Sequence, residues 1–194
     1  MRYFPRFAVL VAVVAGLLWW APWRDRIDAL MTADDLRLHR VDGYRLAYPE
    51  SWQVRSGTNQ DGLGYVEFNG PATSDGAHSG QVRVVRQDAW GHRLQDKLAQ
   101  FRVAASATGR DVTRDEPVSV QGAQAAHRFD MVTRETTPKG VSVRLHETEM
   151  FVLSDEAMLL DITARAPLEG TEPDWLPRVL ESLRVDRQGW FLLR

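Results

Sequence analysis

Few residues in this chain have types and spacing that suggest chemistry. His146-Glu147-Thr148-Glu149 brings together an imidazole and two carboxyls, groups that ligate metals or move protons. Side chains alternate along an extended strand, so His146 and Thr148 face one way and Glu147 and Glu149 the other. A carboxylate pair completed by His127 forms only if neighbouring strands align the three; taken alone, the segment reads as a solvated strand face. Gly76-Ala77-His78-Ser79-Gly80 sets a serine beside a histidine between glycines. A nucleophile elbow needs serine at the centre of G-x-S-x-G, where this chain has His78, so the segment reads as a polar loop. His39, His78 and His92 lack metal-ligand spacing, and no glycine-rich phosphate loop is present. With no cysteine, thiolate nucleophiles, thiolate metal sites, disulfides and lipid attachment to cysteine are excluded. No catalytic residue, metal or cofactor is expected, and a hydrolase reading has only scattered Ser, His and Asp residues to rest on.

The rest of the chain must therefore be read for the elements it builds. Its 194 residues, less an apolar N-terminus, suit one domain with one sizeable core. A hydrophobic content of 44% and charged content of 26% are globular values, not those of a disordered chain. A net charge of −2 argues against a nucleic-acid surface, which needs clustered positive charge.

Phe7 to Trp23 is an almost unbroken apolar run, preceded by Arg2 and Arg6 and followed by Arg24, Asp25 and Arg26. At 1.5 Å per residue it reaches about 26 Å as a helix, the short end for crossing a bilayer. A cleaved signal peptide shares this pattern, but cleavage needs small residues at its site, and Trp19-Trp20-Ala21 is bulky there. Trp19, Trp20 and Trp23 suit an interfacial belt, which favours an uncleaved anchor. Positive charge on the short leading tail places the N-terminus in the cytoplasm and the domain outside, at a bacterial plasma membrane. The expected division is an anchor over 1–23, a stalk or linker over 24–38, an α+β domain over 39–187 and an apolar tail over 188–194.

Within the domain, Gly43 to Tyr48 reads as a strand stopped by Pro49, with Trp52 on the following turn. Trp52 is expected in the core. Gly64 to Asn69 and Gln81 to Gln87 alternate as strands, whereas Gln53 to Leu63 and the turn-rich stretch 70–80 read as loose connections. Leu94, Leu98, Phe101, Ala105 and Thr108 form one helical stripe that Gly109 terminates. Strands are predicted at 112–120, 123–135, 142–154 and 157–166, with turns at Gln121-Gly122 and Pro138-Lys139-Gly140. Leu176, Val179, Leu180 and Leu183 mark a last helix, capped by Asp174 and with Pro177 in its first turn. Strands, helix, strands, helix is the order of an antiparallel sheet covered by helices, not of a parallel doubly wound fold.

Gly43-Tyr44-Arg45-Leu46-Ala47-Tyr48-Pro49-Glu50-Ser51-Trp52 resembles the opening of PsbP-like domains, the superfamily that includes the Ran-binding Mog-type proteins. Val179-Leu180-Glu181-Ser182-Leu183-Arg184-Val185 is similar to the helix ending in Ser-Leu that finishes many of them. The resemblance covers about 40 to 187. It implies an antiparallel sheet between helical layers, an α/β/α sandwich, and a binding or assembly module without a shared catalytic centre. No functional residue carries over, because the matched positions look like core. Many bacterial members are lipoproteins; this chain has an apolar anchor in place of the lipoprotein cysteine.

Past the last helix, Trp190, Phe191, Leu192 and Leu193 form an apolar cluster. Left in water, these four would forgo roughly 6 to 10 kcal/mol of burial, so the domain's own sheet edge, the membrane interface or a partner should cover them. They are the candidate binding residues. The expected function is a non-enzymatic, membrane-tethered module with a protein partner and no nucleic acid. The alternative is a carrier or sensor of a small apolar ligand, using a pocket between sheet and helix; Trp52, Trp90 and Trp175 are candidates to line a hydrophobic pocket, although large rings at element boundaries are more often core.

Overall fold

The computed structural model describes residues 35–41, 43–73, 77–88, 94–154, 158–168 and 174–186. The apolar segment before them and the tail cluster Trp190–Leu193 lie outside the described residues. No described helix is long and apolar enough to cross a membrane.

Among the described residues, ten strands and two helices follow one another as β1 (Leu36–Val41), β2 (Tyr44–Pro49), β3 (Gln53–Thr58), β4 (Gly64–Asn69), β5 (Gln81–Asp88), α1 (Leu94–Ala107), β6 (Asp111–Val118), β7 (Ala123–Thr136), β8 (Ser142–Ser154), β9 (Met158–Pro167), α2 (Trp175–Ser182) and β10 (Arg184–Val185). Seven strands pair in the order β3-β4-β5-β9-β8-β7-β6, every neighbour antiparallel. A second sheet is ordered β1-β2-β10. The meander from β6 to β9 is the one the sequence predicts, and Gly122 (φ +85°) and Gly140 (φ +79°) occupy the left-handed positions its turns require.

Alternation along β8 and β9 divides the core between the two faces of the large sheet. Val152, Leu160 and Ile162 pack with Phe68, Val82 and the α2 residues Leu176, Val179 and Leu180. On the other face, Phe151 and Leu159 join Phe129, Met131 and the α1 residues Leu94 and Leu98. Helix α1 ends in a Schellman motif: Gly109 N–H donates to Ser106 O at 3.2 Å and Arg110 N–H to Ala105 O at 3.0 Å.

Three expectations need correction. Gln53–Thr58 is not a loose connection but a strand paired along its length with β4. Nearly all its side chains are exposed, so no apolar alternation marks it, and the backbone ladder with β4 holds it. The residues of stretch 70–80 described here are not a loose loop. They extend the β4–β5 hairpin through Gly70 N–H to Gly80 O (2.8 Å), Ser79 N–H to Pro71 O (2.9 Å) and Thr73 N–H to Ala77 O (2.8 Å). Asp174 makes no side-chain cap and has helical dihedrals of −57° and −23°. A capping oxygen seeks the second or third N–H of the helix, and the third residue here is Pro177, which has none.

Trp52 is buried as expected, its ring 4.7 Å from that of Trp175 at 70°. Ser182, in the closing motif, accepts the Ala47 N–H at 2.8 Å and donates to Val179 O at 2.6 Å, so it ties α2 to β2.

Candidate functional site

The α1-side face of the large sheet gathers the polar groups. Antiparallel register places Phe129, Glu149, Thr163 and Arg83 in one row across β7, β8, β9 and β5, with Met131, Glu147, Arg165 and Gln81 in the next. Glu147 and Glu149 therefore share a face, as alternation requires, but they are not a solvated surface. Glu147 is 2% exposed and Glu149 8%.

Glu147 is neutralised on both sides. Arg110 Nη1 donates to its Oε1 at 3.0 Å, Arg165 Nε lies 2.8 Å from Oε2 as an ion pair without hydrogen-bond alignment, and Thr133 Oγ1 donates to Oε2 at 3.4 Å. A buried carboxylate held this way is a structural hub, because its lone pairs are already engaged.

Glu149 differs, since no cation is its partner. Burial first, then a hydrogen bond with the Asp161 carboxyl and the negative charges of Asp161 and Glu147, push its pKa well above the usual 4.5, against a smaller opposing effect from Thr163. Burial and the neighbouring carboxylates thus favour the protonated form of Glu149, in which it shares a hydrogen bond with the Asp161 carboxyl. The native state keeps this proton over a range where the unfolded chain has lost it, so stability falls as pH rises from 4.5 to the raised native value and is level above it. Glu149→Gln keeps a donor and removes the charge. The variant should lack this downward slope, which urea midpoints from about pH 5 to about pH 8 will show; identical slopes in the two proteins would count against the shared proton.

His127 lies on the same face but does not complete the pair. Its Nε2 is 2.6 Å from Asp115 Oδ1, and Arg102 grips Asp115 with Nε and Nη2, both at 2.8 Å. The Arg102 hydrogen bond chiefly, with that of His127, holds the Asp115 pKa down at about 2. His78 Nδ1 is 2.9 Å from Gly70 O and braces the hairpin. Among the described residues no cluster of His, Asp or Glu is arranged to hold a metal ion.

Two large openings flank the sheet. One, of about 640 Å³, is lined by Arg110, Arg134, Arg144, Arg165, Glu135 and Glu147, among others. The other, of about 600 Å³, lies between the β1–β2 and β3–β4 hairpins and is lined largely by apolar side chains. Trp52 and Trp175 line neither; their rings close on each other over Gly80, where a Cβ would lie 2.4 Å from Trp175 Cζ2 and 2.8 Å from Trp52 Cζ2. Reading the sequence missed Arg110, Asp115, Asp161 and Arg165. The Leu159-Asp161-Thr163-Arg165 alternation of β9 is a polar face visible in the sequence; the arginine on α1's exit is not.

No family model matches the chain, and no curated protein matches it by sequence. Among solved structures it is similar to cyanobacterial PsbP (CyanoP) from Synechocystis sp. PCC 6803, at 15% identity and TM-score 0.53, over 80% of this chain and 95% of that one. A protein from Bacteroides thetaiotaomicron aligns at 12% identity and TM-score 0.48 over 80% of this chain, which spans 50% of that one. The Pseudomonas aeruginosa protein PA94, of unknown function, aligns at 16% and 0.39 over 74% of this chain and 87% of that one. The first likeness carries the fold, which is PsbP-like; the other two add nothing to it.

Proposed function

We propose that the chain is a non-enzymatic binding or assembly module, held by its N-terminal apolar segment at the outer face of a bacterial plasma membrane. The observation that carries the binding role is the contrast between the two edges of the large sheet. Strand β6 is guarded: its register is broken by a bulge between Val112 and Arg114, and it carries Pro117 and the charges Asp111, Arg114, Asp115 and Glu116. Strand β3 has no proline, no bulge and a single charge, Arg55, and it exposes Val54. Proteins blunt edges that must stay unpaired, and an open edge accepts an extended segment of a partner as an added strand.

A carrier of a small apolar ligand needs an enclosed apolar cavity. The two large openings are both open to solvent, and one is lined by arginines and carboxylates. The tether is supported by Arg2 and Arg6 ahead of the run Phe7 to Trp23.

Val54→Lys guards the edge as natural edges are guarded, without touching the core. Purified from detergent-solubilised membranes, the wild-type chain should bring a partner that the variant loses at unchanged melting temperature. A partner retained by the variant at full yield would refute binding at β3.

A further inference from the structure

The apolar opening beside β3 lies where the described chain stops. Asp186 N–H donates to Gly43 O at 3.0 Å, and Val185 pairs with Tyr44, which lines the opening together with Val41, Leu63, Val66 and Val84. The described chain therefore stops, at Asp186, beside the rim of this groove. Only Arg187, Gln188 and Gly189 separate Asp186 from the apolar cluster, so Trp190 begins within about 14 Å of the rim. The floor is open as well: at Gly62 and Gly64 an added Cβ would meet nothing within 4 Å, which leaves bare backbone against which large side chains can lie. Of the two charged residues that line the groove, Asp88 is opposite in charge to Arg187 and Arg194 of the tail and Arg86 is like them, so shape and proximity, not charge, favour docking here.

The geometry points to Trp190–Leu193 docking in cis into the groove between the β1–β2 and β3–β4 hairpins. Tethering three residues away gives the tail a high effective concentration at this groove, so it outcompetes any free apolar segment of similar affinity. The assignment names the domain's own surface as the cover for the apolar cluster, and it does not depend on the partner-binding role.

The absence of cysteine makes the test clean. Ser56, exposed and lining the groove, is replaced together with a tail residue as Ser56→Cys with Leu192→Cys in the full chain, and mild oxidant is added. The control pairs Leu192→Cys with Ser142→Cys, exposed at the start of β8 and away from the groove. Docking in cis predicts loss of both free thiols within the monomer for the first pair and free thiols in the control. Disulfides only between two copies, equal reaction of both pairs, or thiols that stay free and become shielded only when liposomes are added would each overturn it.

Discussion

Trp52→Ala should lower the stability of the domain by about 3 to 5 kcal/mol, the range for removing a large aromatic ring from a core. The residue is 8% exposed, and its N–H closes the turn onto Pro49 O at 3.0 Å, so the ring enters the core at a fixed point after β2. Its partner Trp175 opens α2, and the two rings meet over Gly80. Truncation empties the space between a hairpin and a helix that cannot close on each other, because Ser182 and β10 hold α2 in place from its other end. The midpoint of urea denaturation at constant slope reads the effect directly. An unchanged midpoint would mean that Trp52 is a surface or ligand residue.

A comparable loss is expected from Gly122→Ala, although the residue has no side chain to remove. Gly122 adopts φ +85°, where a Cβ costs about 1 to 2 kcal/mol. An ideal Cβ there would lie 2.0 Å from the Val185 carbonyl oxygen, a backbone atom that cannot turn aside. Relief requires β10 to move, and β10 is held at this point by Val185 N–H donating to Gln121 O at 2.9 Å and by the Gln121–Arg184 bridge. Strain, the lost hydrogen bond and repacking together amount to about 3 to 5 kcal/mol. Gly140→Ala is the matched control: its φ is +79° but a Cβ there meets nothing within 4 Å, so only the conformational cost applies. Equal midpoints for the two variants would refute the role of Gly122 in joining the sheets.

How far the sequence can be read depends on whether a side chain or the backbone makes each element. The α1 stripe, the β6–β9 meander and the buried α2 residues follow from periodicity because each turns one apolar face to the core. Strand β3 escapes because both its faces are wet, and the Asp174 cap fails because Asp174 is itself helical, with Pro177 offering no N–H at the third position. The pairing of Glu147 and Glu149 on one face is plain from spacing, but their burial is not. It depends on Arg110, 37 residues earlier, and on Asp161 and Arg165 from the next strand, contacts that exist only after the sheet forms. The edge contrast shows the same division: the proline and charges of β6 can be read in the sequence, but not that β6 and β3 are the two edges.

The most direct test of the binding role is site-specific photocross-linking in intact cells, with a photoreactive residue at Val54 in β3 or at Val112 in β6, both exposed. A partner strand added at the open edge predicts a discrete adduct from Val54 and none from Val112. Adducts from Val112 alone, or none from either position while the protein sits in its membrane, would contradict it.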